Sequence, residues 1–283
     1  MTSRLVTSTD GVRIAVHESG NAAGPTIVAV HGFPDSHHVW DRVAAELGDR
    51  YRVVAYDVRG AGESDKPRRR KAYRQEQLTA DLCAVLDVVS PGEPVHLLAH
   101  DWGSLQSWDA LSNPALAGRF ASFTSISGPS LAYASRWLRG RGHLRDSLRQ
   151  VLSSTYMLVF QLPVLPELAA RAGVIARGAA KIGGHDPSRG LAETSNGVNL
   201  YRANVLRQLF RTEPRRTLVP TLVLVPTEDR FSSPAVARNA PVPWVDDLTV
   251  RDVAGGHWVV LQDPAPIAAE VDAFVAAHLP ARR

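Results

Sequence analysis

The sequence predicts an α/β fold: a mostly parallel, eight-stranded sheet flanked by helices, with a helical lid inserted into it. Three observations predict this. Over residues 1–129, and again over 213–283, short apolar runs of strand character alternate with amphipathic stretches, the pattern of strands joined by helical crossovers. Between them, over 130–212, the strand pattern stops. The loops that carry the most reactive side chains each follow directly on a strand.

Taken in order, Arg4 to Ser8 and Val12 to His17 form an opening hairpin around Asp10-Gly11, a strong turn signal. Strands follow at Thr26 to Val30, Arg52 to Tyr56, Val95 to Ala99 and around Ala121, separated by helical patterns such as Trp40 to Leu47 and Gln77 to Val89. In the lid, Tyr133 to Val151, Thr155 to Phe160 and Leu200 to Leu209 read as helices, punctuated by Pro163, Pro166 and Gly183-Gly184. Strands at Thr221 to Val225 and Leu248 to Val253, then a helix from Pro266 to His278, complete the core.

A chain of 283 residues, 45% hydrophobic, accommodates one large domain of this kind, with 1–129 as the first part of the core, 130–212 as the lid and 213–283 as the second part. The single cysteine, Cys83, excludes a disulfide framework and falls in a helical pattern with Leu82, Val85 and Leu86 that places it in the core. Met1-Thr2-Ser3-Arg4 opens no signal-like apolar segment, and no run reaches the roughly 18 apolar residues of a membrane span; a soluble, cytoplasmic protein is expected. The net charge of +4 is modest. Basic clusters at Arg68-Arg69-Arg70-Lys71 and at Arg136, Arg139, Arg141 and Arg145 read first as solvated faces, with contact to an anionic membrane surface as the weaker reading. No phosphate loop, metal-ligand spacing, nucleotide fingerprint or nucleic-acid motif occurs, so no cofactor, metal or nucleic-acid partner is expected.

The richest segment is Leu97-Leu98-Ala99-His100-Asp101-Trp102-Gly103-Ser104. It ends a strand, turns and enters a helix, with small Ala99 and Gly103 two residues either side of Asp101. Small residues are needed there because the turn presses helix against strand and lifts the central side chain clear of the sheet, as in the Gly-x-Ser-x-Gly elbow. Alone, Asp101 reads first as a helix N-cap, the commoner role for an Asp that opens a helix. Its companions decide otherwise: His31-Gly32-Phe33-Pro34, Asp57-Val58-Arg59-Gly60-Ala61-Gly62-Glu63-Ser64, Thr227-Glu228-Asp229 and Gly255-Gly256-His257-Trp258 all follow strands.

With these motifs the chain resembles the α/β hydrolases, and among them the epoxide hydrolases, with haloalkane dehalogenases as near relatives. The resemblance covers essentially the whole length, with one departure, Ala99 where many elbows carry Gly. The chain is also similar to the hydrolase part of longer actinobacterial epoxide hydrolases that carry an additional reductase domain. The resemblance implies a triad in the order Asp101, Asp229, His257. A carboxylate nucleophile suits attack on saturated carbon, leaving an ordinary ester, whereas attack on an acyl group would give an anhydride. His257 is the base for hydrolysing that ester and Asp229 its orienting partner; Glu228 is the rival acid, while Ser127-Gly128 occupies the place where some relatives carry theirs. His31, His100 and Ser104 read as structural neighbours.

The resemblance further implies an oxyanion hole from the backbone N–H groups of Phe33 and Trp102, an unusual peptide before Pro34 for which cis is a candidate form, and two lid tyrosines as acids for the epoxide oxygen. Tyr156 in Tyr-Met-Leu-Val-Phe-Gln and Tyr201 before Arg202 match those tyrosines. Apolar lid residues, among them Leu152, Met157, Leu158, Val159, Phe160 and Leu165, predict an apolar pocket, with Phe33, Trp102, Met157 and Phe160 as substrate contacts and a small apolar or lipid-derived epoxide as the partner. Two other readings stay open: dehalogenation by the same triad, with Trp102 gripping the halide, and a non-catalytic ligand-binding protein on a hydrolase scaffold.

Overall fold

The computed structural model describes residues 2–183, 191–211 and 213–279. In chain order the elements are β1 (Thr2–Thr7), β2 (Arg13–Gly20), β3 (Thr26–Val30), α1 (Asp41–Leu47), β4 (Arg52–Tyr56), α2 (Gln75–Val89), β5 (Val95–His100), α3 (Trp102–Leu111) and β6 (Phe120–Ile126). Helices α4 (Leu131–Leu138), α5 (Leu144–Ser153), α6 (Tyr156–Val159), α7 (Leu165–Arg171), α8 (Val174–Gly183) and α9 (Leu191–Arg211) form the insertion. The core resumes with β7 (Thr221–Pro226), α10 (Pro234–Asn239), β8 (Leu248–Val253), α11 (Val259–Gln262) and α12 (Pro264–Ala277).

The eight strands form one sheet in the order β1-β2-β4-β3-β5-β6-β7-β8. The opening hairpin and the β2–β4 pair are antiparallel, and every later pair is parallel. Parallel strands lie between two helical layers, so both faces are apolar. In β3, Val28 and Val30 join the cluster containing Leu82, Val85 and Trp108 of α2 and α3. Ile27 and Ala29 join the opposite cluster with Val43 and Leu47 of α1 and Ile267, Val271 and Phe274 of α12. The alternation is the period-2 geometry of a strand written on both faces.

Several boundaries differ from expectation. Strand β2 runs on to Gly20 because its antiparallel pairing with β4 continues to Gly20 opposite Arg52. The helix expected from Tyr133 to Val151 breaks into α4 and α5 at Gly140-Arg141-Gly142, where Gly142 takes φ +100° and His143 stacks back on Trp137 at 3.8 Å. Helices α7 and α10, of seven and six residues, are too short to give a clear period, although Ser233 caps α10 and Pro234 occupies its first turn, and α8 is a further helix beyond those expected. Cys83, expected in the core, is half-buried: Leu78, Leu82, Val85, Leu86 and Val89 form the inward stripe of α2 and Cys83 falls beside it. No helix among the described residues is long and apolar enough to cross a membrane.

One buried ion cluster fixes the loop after β4. The Arg59 guanidinium donates to both Asp81 oxygens at 2.6 Å, to both Asp10 oxygens at 2.9 and 3.1 Å, and to the Ala72 carbonyl at 2.6 Å. Arg59 and Asp81 are both buried. Breaking such a cluster strands a charge in the interior, which costs about 3–5 kcal/mol. Arg59→Met is expected to lower the stability read from urea denaturation by that amount, and an unchanged midpoint would show that Asp81 finds another partner.

Candidate functional site

Asp101 occupies the one-residue turn between β5 and α3 with φ +50° and ψ −123°, outside the conformations ordinary L-residues prefer. Its N–H donates to the Ile126 carbonyl at 3.0 Å, and its carbonyl accepts the Leu105 N–H at 3.0 Å, so strand and helix grip it from either side. The turn closes because position 103 has no side chain: a Cβ on Gly103 would stand 2.1 Å from the Val30 carbonyl oxygen. The Phe33-Pro34 peptide is cis, and the Phe33 N–H donates to Asp101 Oδ2 at 2.8 Å.

The other Asp101 oxygen, Oδ1, lies 3.5 Å from His257 Nε2. His257 Nδ1 donates to Asp229 Oδ2 at 2.9 Å, and Asp229 Oδ1 accepts the N–H groups of Phe231 and Ser232 at 2.8 and 3.0 Å. Burial opposes charge on the imidazole, but the facing carboxylates of Asp229 and Asp101 outweigh it and raise His257 to about 10. Burial likewise opposes charge on Asp229, yet His257 and the two backbone donors hold it below the ordinary carboxylate range. Glu228 is exposed, so Asp229 is the carboxylate that meets His257.

Tyr156 of α6 and Tyr201 of α9 reach the same place from the insertion, with ring centroids 5.9 Å apart. Tyr201 packs edge-on against Trp102 at 4.9 Å and Phe33 at 5.3 Å. Burial drives both hydroxyls above the ordinary phenol value, and the Asp101 charge adds to this, so both are held protonated. Two cavities of about 300 and 190 Å³ meet at Asp101, Tyr156, Phe231 and His257. Trp102 and Met157 line the larger, while Phe33, Phe160 and Tyr201 line the smaller. Of the apolar residues expected around a pocket, Leu152, Val159 and Leu165 point outwards instead and are 60%, 46% and 53% exposed.

The sequence reading missed three residues that hold this arrangement. Phe231 lines both cavities and packs 5.0 Å from His257; its place two residues after Asp229 was the available signal. Gly197 lets α9 close on Phe33, since a Cβ there would be 2.3 Å from that ring, one turn before Tyr201. Arg202 donates to the Phe160 carbonyl at 2.8 Å and pairs with Glu167, tying α9 to α6 and α7. His31, His100 and Ser104 are buried against the scaffold: His31 links the Val58 N–H to the Gly32 carbonyl, His100 donates to the His257 carbonyl at 2.8 Å, and Ser104 meets Ser125.

Metal-ligand spacing, which the linear sequence lacks, is created by the fold. His17, His37 and Asp57 are buried with ligand atoms within 4.8 Å of one another, at a spacing a divalent cation accepts. Hydrogen bonds already account for the cluster, because Asp57 accepts from the His37 N–H and imidazole and from the Glu63 N–H at 2.8–2.9 Å.

A family model described as alpha/beta hydrolase fold matches residues 25–264. The chain belongs to the α/β-hydrolase fold family. Among curated proteins, this α/β hydrolase is 38% identical over 292 residues to a probable oxidoreductase, EphD, of Mycobacterium tuberculosis, covering 96% of the chain and 49% of the relative. The chain thus spans about half the length of the first curated relatives it matches. It is 40% identical over 135 residues to epoxide hydrolase A of the same organism, covering 47% of the chain and 40% of that protein. Among solved structures, one of the novel epoxide hydrolases from metagenomes of hot environments superposes with TM-score 0.82 at 25% identity, covering 98% of this chain and 100% of that one. The fold is also that of a Bacillus megaterium epoxide hydrolase solved with an inhibitor, with TM-score 0.80 at 20% identity, covering 96% and 100% of the two chains.

The charge arrangement predicts its own perturbation. Asp229→Asn removes the nearest negative charge, so the His257 proton, held to about pH 10 in the native protein, should leave at distinctly lower pH. NMR titration of isotope-labelled histidine reads this directly, and an unshifted His257 midpoint would remove Asp229 as its charge partner.

Proposed function

We propose that this protein is an epoxide hydrolase that converts an apolar epoxide to a vicinal diol through a covalent alkyl ester on Asp101. The observation that carries the reading is the meeting of half-buried Tyr156 and buried Tyr201, both protonated, with Asp101 and the His257–Asp229 pair where two apolar cavities join. A departing halide needs no proton donor, so the tyrosine pair favours an epoxide over a haloalkane. The helical insertion then acts as a lid that supplies both the apolar walls and the acids.

In the first step Asp101 Oδ1 attacks an epoxide carbon, the carbon–oxygen bond breaks, and the oxygen takes the electron pair. Tyr156 and Tyr201 donate to that oxygen, and the proton it takes is made good from the imidazolium of His257 as Asp101 loses its charge. Esterification therefore removes one of the charges that kept His257 protonated and leaves it a base. Neutral His257 next takes a proton from water, hydroxide adds to the ester carbon, and the developing negative charge falls on Oδ2. That oxygen already accepts from the Phe33 N–H, and the Trp102 N–H at the start of α3 serves as the second donor. Collapse expels the diol alkoxide, which takes the proton of the new carboxyl group. His257 keeps the proton from water, so the resting charges return.

His257→Gln should stop the second step and trap the ester. Intact and peptide mass spectrometry after exposure to aryl and alkyl epoxides should find Asp101 heavier by the whole epoxide. An adduct formed only from alkyl halides, with loss of halide, would make the protein a dehalogenase. Tyr156→Phe and Tyr201→Phe should each slow formation of the ester by about 10²-fold, measured in a single turnover.

The pH profile has a calculable sense. Ester hydrolysis should rise with pH as His257 is deprotonated, with a midpoint below the value of about 10 that holds in the resting protein. Ring opening should persist to alkaline pH because both tyrosines are raised above the ordinary phenol value. A single-turnover profile in which hydrolysis slows with rising pH would contradict His257 as the base.

A further inference from the structure

Helix α5 turns its apolar side outwards. Leu144, Leu148, Val151 and Leu152, spaced i, i+4, i+7 and i+8, are 74%, 60%, 53% and 60% exposed, whereas its buried positions are Ser147 and Gln150. Gln150 fixes that orientation. Its side-chain oxygen accepts the Ser233 N–H at 2.7 Å and its amide donates to the Phe231 carbonyl at 2.9 Å, locking the polar side to the loop that carries Asp229. Arg145 and Arg149 stand exposed beside the outward stripe.

Leu158, Leu165 and Leu168 elsewhere on the insertion are exposed as well, and most of the exposed large apolar side chains among the described residues lie there, with few on the core. Extended apolar patches are rare on proteins that keep such a surface in water. The patch is also continuous with the site. Val151, Leu158, Leu206 and Phe210 line the outer part of the larger cavity, whose inner end is Asp101, and are themselves 53%, 62%, 41% and 73% exposed.

We propose that the outward face of α5, together with Leu158 of α6, docks on an anionic membrane surface and that bilayer-dissolved epoxides enter the cavity directly from it. An amphipathic helix with leucines on one side and arginines flanking them lies in the plane of such a surface, its apolar side sunk below the headgroups. Charge complementarity selects the bilayer over a second copy of the chain, which would bring Arg145 and Arg149 against their own equivalents. The docking stands on the surface alone; the delivery of an epoxide rests on the function proposed above.

The test is flotation of the full chain with vesicles of phosphatidylcholine alone and of phosphatidylcholine mixed with phosphatidylglycerol. Binding should be strong only to the anionic vesicles. Leu148→Glu with Leu152→Glu should weaken it by at least about tenfold. Arg145→Gln with Arg149→Gln should weaken it by about fivefold for each charge removed. Absence of flotation, or flotation unchanged in the leucine variant, overturns the docking. A leucine variant that alters only the oligomeric state in solution, without altering flotation, reassigns the face to self-association and overturns it as well. The leucine variant should turn over dissolved styrene oxide as the parent does, but should lose most of its rate on an epoxidised oleoyl ester carried in the vesicles. An unchanged rate on the vesicle substrate overturns the delivery. No turnover of either substrate by the parent protein defeats the hydrolase reading and leaves the flotation result to stand.

Discussion

A single residue in an unfavourable backbone conformation sets the terms for the rest of the site. Asp101 at φ +50° costs of order 1–3 kcal/mol, and such a residue persists only where its surroundings over-determine it. Here they do. The end of β5 is held between β3 and β6, the Asp101 N–H is tied to Ile126, and α3 begins so close to β3 that no side chain fits at position 103. The outcome is a carboxylate beyond the carboxyl end of a central strand, with one oxygen met by the Phe33 N–H and the other left for His257.

Around that carboxylate the charges form a graded series. Asp229 is buried but supplied with three donors, so it keeps its charge. His257 lies between two carboxylates, so it keeps its proton. Neutralising either carboxylate loosens that proton, and covalent capture of a substrate on Asp101 is one way to neutralise it. A proton held at rest by two carboxylates is thereby held less firmly once either carboxylate is neutral.

The insertion is joined to the core by polar contacts as well as by apolar ones. Asn204 accepts the Gln75 N–H and donates to the Tyr73 carbonyl, Gln208 reaches Asp109, and Gln150 binds the loop after β7. Directional bonds of this kind fix the rotation of α9 and α5 about their axes, which burial of apolar area alone leaves loose. With α9 so fixed, Gly197 rests on Phe33 and Tyr201 on Trp102.

The sheet and the reactive loops were legible because their signals are local. A strand, a turn and the first turn of a helix span only a few residues around Asp101, and small residues at 99 and 103 announce the close packing. The alternation of apolar runs with helical patterns fixes the fold class for the same reason. The resemblance carried Tyr156, Tyr201 and Asp229 to positions that the structure brings beside Asp101 and His257. Other features depend on contacts between distant parts of the chain. The contact of Gly197 with Phe33 and the gathering of His17, His37 and Asp57 have no signature in any short window. Helical periodicity shows that α5 has an apolar stripe, but the pattern is the same whether the stripe faces in or out. The sequence by itself determined the strands, their order along the chain and the reactive side chains that follow them. Tertiary structure alone decided which side of α5 meets solvent, because the bonds from Gln150 to Phe231 and Ser233 exist only once residues some eighty positions apart have come together.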